Sequence, residues 1–139
     1  MEKGYSRSLS KKLASKKVIL NSDHDLIAKI WEDQPSMPDR KVFELDVKYA
    51  GKTRSEKFAQ IREEIKKVGG TQYLITNLDD IAWLLNLRGY DVDSNPVFVS
   101  YLVLGETDAH LFAEVKKFPP AIKEALKKDG VNLHPYNKV

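Results

Sequence analysis

The most regular hydrophobic pattern in the sequence runs from residue 53 to residue 70. Thr53-Arg54-Ser55-Glu56 matches a capping box, in which the Thr and Glu side chains bond to each other's backbone amides at the start of a helix. Apolar residues then recur at spacings of three and four residues: Phe58, Ile61, Ile65 and Val68. Gly69-Gly70 favours an end to the helix at that point. The pattern predicts an amphipathic helix whose apolar stripe packs on a core.

A second helix is predicted directly after a short apolar run. Residues 72–76 have the composition of a short buried strand. Asn77 is then a suitable N-cap, and Asp79 and Asp80 lie in the first turn, where the helix dipole favours carboxylates. Three apolar residues form the predicted inner face: Ile81, Leu84 and Leu85. We expect Arg88-Gly89 to close this helix.

The remaining pattern completes a mixed sheet. Residues 97–104 lack the alternation of a half-exposed strand, which predicts a central strand covered on both faces. A turn at residues 105–108 leads into a second strand over 110–115, and a helix follows from Phe118-Pro119-Pro120 to Lys128. A last strand covers 131–134. The order of elements predicts an α/β fold with a mixed sheet flanked by helices.

The first part of the chain has weaker signals. It predicts a short helix from Ser8 that is followed by a strand at residues 18–20, and then a helix over residues 24–31 with N-cap candidates at residues 21–23. Pro35 and Pro38 impose extended backbone and indicate a linker. Residues 1–35 are too few to bury a core, so we expect them to end one domain and residues 36–139 to form the next. Without its partner, we expect the first segment to be the less ordered one.

Composition narrows the class of protein. Apolar residues make up 42% of the chain and charged residues 31%, as in folded globular proteins. The absence of cysteine excludes disulfides, thiol catalysis and thiolate metal sites. The longest apolar run is too short to span a bilayer, and the N-terminus lacks the apolar core of a secretory signal. We therefore expect no membrane partner, and the absence of cysteine is compatible with the cytoplasmic location that the family resemblance given below implies.

Charge is concentrated at the N-terminus. The net charge is +3, yet residues 1–20 contain six basic residues and only one acidic residue. A nucleic-acid surface needs basic groups across a folded face, with aromatic stacking partners. The lysines here occur in pairs around Leu13 and Ala14, which is typical of a solvated helix face. We predict no nucleic-acid partner.

Three motifs resemble reactive or metal-binding sites without completing them. The loop at residues 91–95 begins like an EF-hand, but Pro96 and Leu102 stand where the motif needs Gly and Glu. The three histidines, His24, His110 and His134, have no partner at a metal-binding spacing. Asp108, two residues before His110, is interpreted as part of an ordinary turn. Asp46, on a predicted strand, and Asp80 leave open a magnesium-dependent nuclease of the ribonuclease-H type.

One long segment is distinctive. The sequence Asn77-Leu-Asp-Asp-Ile-Ala-Trp-Leu-Leu-Asn-Leu-Arg-Gly89, continued to Tyr101, strongly resembles aminopeptidase P, the family of Xaa-Pro aminopeptidases. Residues 25–35, residues 57–62 and His134-Pro135-Tyr136 also resemble this family. The similarity covers most of the chain and is most specific at Leu85-Asn-Leu-Arg-Gly89. The matching part of the family is the second non-catalytic domain of the three-domain form, together with the end of the first.

The resemblance implies a function for a larger protein. The family's fold here is the ribonuclease-H-like creatinase N-terminal domain, and the family's enzyme removes an N-terminal residue that precedes proline. Its chemistry belongs to a C-terminal "pita-bread" domain that holds two manganese ions through two Asp, one His and two Glu. None of those ligands has a counterpart here, so we assign no catalytic or metal residue, and no cofactor, to this chain. We expect it to be an inactive piece of the enzyme, and a free-standing binding module is the alternative.

Partners follow from the same resemblance. The N-terminal domains of this family flank the cleft that admits the peptide substrate and take part in subunit contacts, so a homodimer is possible. The loop from Arg88 to Asn95 is the best candidate for facing the catalytic domain. Arg88 could meet a peptide carboxylate or an acidic residue, or could instead bind carbonyls at the helix end. Trp83 lies off its helix's inner face, and core packing is favoured over a domain contact. The four contact candidates are Trp83, Arg88, Asp91 and Asn95.

Overall fold

A computed structural model describes residues 3–21 and 26–139. Backbone packing divides the chain into two units, Met1–Ser36 and Met37–Val139, which are described separately. In the described part of the chain, no helix is long and apolar enough to cross a membrane.

The first unit contains two helices, α1 (Lys3–Ala14) and α2 (Leu26–Ile30). The helix α1 begins earlier than predicted. The helix α2 covers residues 26–30 of the helix predicted over residues 24–31 and ends before Trp31; the cap candidates Ser22 and Asp23, and His24, lie outside the described residues. Residues 18–20 do not form the predicted strand. A strand needs a neighbour for its backbone groups, and the described residues of this unit offer none. Apolar side chains remain in solvent, with Ile19 92% and Ile30 79% exposed.

The second unit is built on a mixed sheet. Its four strands, β2 (Gln72–Ile75), β4 (Ser100–Gly105), β5 (Ala109–Ala113) and β6 (Val131–Pro135), lie in the order β2-β4-β5-β6. The β5–β6 pair is parallel and the other two pairs are antiparallel. A separate ribbon joins β1 (Phe43–Glu44) to β3 (Leu87–Arg88). The predicted mixed sheet flanked by helices is confirmed.

Four helices accompany the sheet: α3 (Val47–Ala50), α4 (Arg54–Lys67), α5 (Leu78–Leu85) and α6 (Pro120–Lys128). Two single 3₁₀ turns occupy Val115–Lys117 and Tyr136–Lys138. The core forms where α4, α5 and α6 meet one face of the sheet, and its fully buried members include Phe58, Leu85, Leu102, Leu111 and Leu126. Hydrophobic burial on this face is the main stabilising contribution to the fold.

The predicted starts of α4 and α5 are confirmed. Thr53 and Glu56 form the complete capping box of α4, and the Asn77 side chain accepts hydrogen bonds from the backbone amides of Asp79 and Asp80 at the start of α5. The inner face of α5 is also as predicted, since Ile81, Leu84 and Leu85 are all buried. These features depend on neighbours within four residues along the chain, which the sequence displays directly.

Several predictions of burial and secondary structure are wrong. Val68 is 84% exposed, because α4 has already ended and Val68 is its C-cap. The strand β2 is buried only at Ile75, since it lies at the sheet edge and leaves Tyr73 and Leu74 about half exposed. The strand β4 is central, as expected, but Tyr101 and Val103 on its outer face are only half-buried. Asp46 is not on a strand and instead caps α3.

The helix α5 ends earlier than predicted. Its C-cap is Asn86, a buried residue in the left-handed conformation (φ 52°), and the backbone then enters β3 rather than continuing to Arg88-Gly89. Asparagine tolerates this conformation better than most residues with a side chain. The amide of Asn86 is held on both sides, because its Nδ2 donates to the Lys52 carbonyl at 2.8 Å and its Oδ1 accepts from Lys57.

Candidate functional site

The loop from Arg88 to Asn95, here the 88–95 loop, connects β3 to the segment before β4. Two backbone bonds tie it to that segment: Gly89 N donates to the Pro96 carbonyl and Asp91 N to the Val97 carbonyl, both at 3.1 Å. Gly89 is required by space, since a Cβ there would lie 2.8 Å from Cβ of Phe98. The loop is therefore closely packed against the segment before β4.

Asp91 fixes this loop from the inside. Its carboxylate is fully buried and forms an ion pair with Lys117, whose side chain is 1% exposed. The same carboxylate oxygen accepts a hydrogen bond from Val99 N at 2.7 Å, and the other oxygen, Oδ1, has no partner among the described residues. The sequence placed Asp91 among the surface contacts, but the fold makes it an internal anchor of the 88–95 loop.

Asn95 and Arg88 hold the two ends of the loop to α5. Asn95 Nδ2 donates to Asp79 Oδ1 at 3.1 Å. Arg88 Nη1 donates to the carbonyls of Ala82 at 2.7 Å and Leu87 at 2.9 Å. Of the two roles left open for Arg88, the structure displays binding to carbonyls at the helix end. The half-buried guanidinium thereby keeps a fixed position beside the loop.

Trp83 lies on the outer side of α5. It is 43% exposed, so the expectation that it packs in the core is wrong. The Lys57 ammonium lies 4.4 Å from the centroid of the indole ring, a cation–π contact that holds the ring in place. The indole also lines a cavity of about 240 Å³, together with Ile61, Tyr73, Ile75, Asp80 and Leu84.

Lys57 is a buried neighbour of Trp83 that the sequence did not reveal. Its side chain is 1% exposed, and its Nζ donates to the Trp83 carbonyl at 2.8 Å and to Asn86 Oδ1 at 2.5 Å. Burial lowers the pKa of Lys57, and the nearby charges of Arg88 and Lys52 lower it further. In the helical pattern Lys57 stands beside Phe58 like any solvated lysine, so only the three-dimensional meeting of α4 and α5 exposes its role.

The 88–95 loop also carries exposed apolar side chains. Tyr90 is 53% and Val92 41% exposed on the 88–95 loop, and the Tyr90 ring lies 5.4 Å from that of Phe43. We call Trp83, Arg88, Tyr90 and Val92 the α5-loop surface. This surface comprises two aromatic side chains, an aliphatic side chain and a guanidinium.

The candidate metal and nuclease residues are placed differently. Among the described residues, no group of three or more His, Cys, Asp or Glu side chains is arranged to hold a metal ion. The Asp46 carboxylate accepts from the Lys48 amide at its helix cap, and Asp80 lines the cavity beside Trp83. Within the described part of the chain, no hydrogen bond or ion pair joins Asp46 to Asp80.

Two of the three histidines meet each other. His110 Nδ1 lies 3.0 Å from His134 Nε2, and His110 Nε2 lies 3.0 Å from Asp108 Oδ2. The interpretation of Asp108 and His110 as part of an ordinary turn therefore accounts for the Asp108–His110 contact but not for the His110–His134 contact. The second contact depends on the parallel pairing of β5 with β6, which no local sequence pattern displays.

Comparisons with known proteins identify similar chains. A family model described as "Creatinase/Prolidase N-terminal domain" matches residues 33–139. A probable Xaa-Pro aminopeptidase P of Leptosphaeria maculans is 39% identical over 84% of this chain and 19% of its own length. Xaa-Pro aminopeptidase 1 of Dictyostelium discoideum is 37% identical over 100% of this chain and 23% of its own length. This chain thus spans about a fifth of the length of these relatives.

A solved structure is also similar. The X-prolyl aminopeptidase of Caenorhabditis elegans, described as a cytosolic enzyme with a di-nuclear active site, matches with a TM-score of 0.82 and 30% sequence identity. The match covers 97% of this chain and 22% of the nematode chain. The fold and the sequence therefore point to the same group of proteins.

Proposed function

This chain belongs to the Creatinase/Prolidase N-terminal domain family, and on that premise we propose that it is a non-catalytic part of a metal-dependent Xaa-Pro aminopeptidase. The observation that carries the proposal is the extent of similarity, which is nearly complete for this chain but covers only about a fifth of each aminopeptidase. In this account the intact enzyme removes an N-terminal residue that precedes proline, and this part shapes the cleft that the peptide enters.

The metal chemistry is assigned to another part of the enzyme. The described residues do not fit a dinuclear centre, since no three potential ligands converge. Two manganese ions would be held by the Asp, His and Glu ligands of the catalytic domain. The residues of this chain contribute by position, because a fixed wall orients a bound peptide without taking part in bond breaking.

The α5-loop surface is the proposed contact with the catalytic domain. Trp, Tyr and Arg side chains contribute a disproportionate share of binding energy at protein interfaces. Here Trp83 is held by Lys57, and Arg88 by the carbonyls of Ala82 and Leu87. A surface that is ordered before contact loses less conformational entropy when it binds. Asp91 and Asn95 support the contact by fixing the loop.

The first unit is proposed to be the end of the preceding N-terminal domain, with the division near residue 35. Its exposed apolar side chains support this role, because Ile19, Ile30 and Trp31 (46% exposed) would gain from burial against the remainder of that domain. We further propose a cytoplasmic location, as for the nematode enzyme, and a homodimer in which N-terminal domains take part.

Substitutions in the protein encoded by the whole gene test this proposal. We expect that protein to cleave Xaa-Pro peptides with manganese, and Trp83→Ala to reduce kcat/KM by about tenfold or more, the effect of losing an interface hot spot. Tyr49→Ala is the matched control, since Tyr49 is 72% exposed and lies on α3, outside the α5-loop surface. Absence of Xaa-Pro cleavage by the unsubstituted protein would overturn the proposed function. Equal kcat/KM in all three proteins would refute the contact role of Trp83 alone.

A further inference from the structure

The outer face of the sheet carries a chain of three polar side chains that the proposed function does not use. His110 is the middle member: its Nε2 lies 3.0 Å from Asp108 Oδ2, and its Nδ1 lies 3.0 Å from His134 Nε2. The parallel register of β5 and β6 sets Phe112 beside His134 and His110 beside Asn132, so the two histidines approach on the diagonal. The His110 and Asp108 side chains are 36% and 49% exposed.

The chemistry of the Asp108 carboxylate sets the protonated nitrogen of His110, whereas the roles in the contact between the two histidines depend on their tautomers. The Asp108 carboxylate can only accept, so His110 Nε2 carries a proton toward it. A neutral His110 then has its lone pair on Nδ1, the atom that faces His134. In this state His134 Nε2 donates into that lone pair. In the other neutral tautomer of His134, the proton is on Nδ1, and the lone pair of Nε2 then faces the lone pair of His110 Nδ1.

We propose that His110 and His134 form a binding site for a divalent ion that prefers imidazole, with Zn²⁺ or Cu²⁺ as the fitting ions. The distance between the nitrogens supports this. With metal–nitrogen bonds of about 2.05 Å and bond angles between a right angle and the tetrahedral angle, two imidazole ligands have nitrogens about 2.9–3.4 Å apart. The observed separation is 3.0 Å.

The ion would lie to one side of the line between the nitrogens. An ion about 1.4 Å off the midpoint of that line is about 2.05 Å from both atoms, which sets the required rotation of the rings. Rotation about the Cβ–Cγ bond of histidine has a broad, shallow torsional preference, but it also has to overcome the stacking of His134 on Phe112, whose ring centroids are 5.0 Å apart, and the Asp108–His110 contact. His134 changes tautomer, so the neutral pair binds the ion without net loss of a proton.

Asp108 has the position of a supporting carboxylate. A histidine that binds a metal through one nitrogen usually donates its other N–H to a carboxylate or carbonyl, which fixes the ring and strengthens the ligand. The Asp108–His110 pair has this arrangement before any ion is bound. Water completes the coordination, because the two histidines are the protein ligands and His110 is partly exposed.

Zinc titration of the 139-residue chain by calorimetry tests the site. We expect one saturable Zn²⁺ site, and its loss in His110→Gln and in His134→Gln. Asp108→Asn should weaken binding by about 10- to 100-fold, the usual effect of removing a supporting carboxylate. His24→Gln is the matched control and should bind as the unsubstituted chain does. Mg²⁺, which prefers oxygen ligands, should not compete.

Copper spectroscopy keeps the test decisive if a substituted chain does not fold. In the unsubstituted chain, electron paramagnetic resonance of added Cu²⁺ should show hyperfine coupling to two imidazole nitrogens. Coupling to one nitrogen or none would overturn the proposal. So would the absence of a saturable Zn²⁺ site, unchanged Zn²⁺ affinity in a folded His110→Gln/His134→Gln chain, or loss of the site in His24→Gln.

Discussion

The buried pair of Asp91 and Lys117 places two opposite charges where water has almost no access. Their exposed fractions are 0% and 1%, and one carboxylate oxygen receives both the ammonium and the Val99 amide. A buried pair adds little stability compared with an apolar pair of similar size, but a single remaining charge is costly. Asp91 therefore matters for stability chiefly because it neutralises the buried ammonium of Lys117.

Replacing Asp91 by Asn should therefore be severe. We expect Asp91→Asn to lower the free energy of unfolding by about 3–5 kcal/mol, because it leaves the Lys117 ammonium buried without an anion. Urea unfolding of the chain measures this. Asp91→Leu combined with Lys117→Met should recover much of the loss, and Asp93→Asn, an exposed acid in the same loop, should change the free energy by less than about 0.5 kcal/mol. Equal effects of Asp91→Asn and Asp93→Asn would contradict the account.

The hydrogen bond between Tyr136 and Tyr101 provides a pH-dependent test of a single side-chain interaction. Its hydroxyl donates to the Tyr101 hydroxyl at 3.3 Å, and this bond, with burial second, raises the pKa of Tyr136 to about 12. The folded state therefore keeps a proton that the unfolded state loses near the ordinary pKa of 10. The corresponding stabilisation is complete below pH 10 and is lost as the pH rises toward 12.

Ultraviolet titration of tyrosinate should resolve Tyr136 as a late step. That step should be absent in Tyr136→Phe and should move toward the ordinary range in Tyr101→Phe, which removes the accepting oxygen. A titration curve that is the same in all three chains would refute the role of this hydrogen bond.

At the scale of elements, the start of α4 is the best-defined local structure. Glu56 Oε2 accepts from both the backbone amide and the hydroxyl of Thr53 at 2.7 Å. The hydroxyl contact, followed by the amide contact, lowers the pKa of Glu56. Because the pKa is lowered in the folded state, this interaction stabilises the protein above the ordinary carboxyl range and is lost as the pH falls through the lowered pKa.

Thr53→Ala should remove the side-chain half of the capping box, because the Thr53 hydroxyl no longer accepts from the Glu56 amide or donates to Glu56 Oε2, whereas the backbone amide of residue 53 remains. We expect a loss of about 0.5–2 kcal/mol in the free energy of unfolding, the usual cost of deleting an N-cap side chain. Carboxyl NMR should show the pKa of Glu56 returning toward its ordinary value. Thr53→Ser keeps the hydroxyl and should preserve both properties; a Glu56 pKa that is the same in Thr53→Ala and the unsubstituted chain would disprove the coupling.

The elements also show what a sequence reveals and what it conceals. The helices α4 and α5 were predicted because their caps and apolar stripes involve residues close in the chain. The exposure of β2 was not, since a short apolar run looks the same at the edge and at the centre of a sheet. The end of α5 at Asn86 was missed because its left-handed cap is stabilised by Lys52 and Lys57, which are distant in sequence.

On the scale of the whole molecule, the family and its mixed sheet were accessible from the sequence, whereas the arrangement of the candidate site was only partly so. The helical spacing already placed Trp83 away from the inner face, and the structure leaves it exposed. The burial of Asp91 and the approach of His110 to His134 depend on Lys117 and on the β5–β6 register. Those are contacts between distant parts of the chain, which a single sequence without a fold cannot supply.

We propose that this chain supports a peptidase without performing its chemistry. The most direct test is a peptidase assay of the 139-residue chain with an Xaa-Pro peptide and added manganese, beside the protein encoded by the whole gene. The account predicts that the 139-residue chain is inert and that the longer protein cleaves the peptide. Cleavage by the 139-residue chain alone, at a rate that persists after repeated purification, would place a catalytic centre among the residues that we describe as structural and would contradict the account.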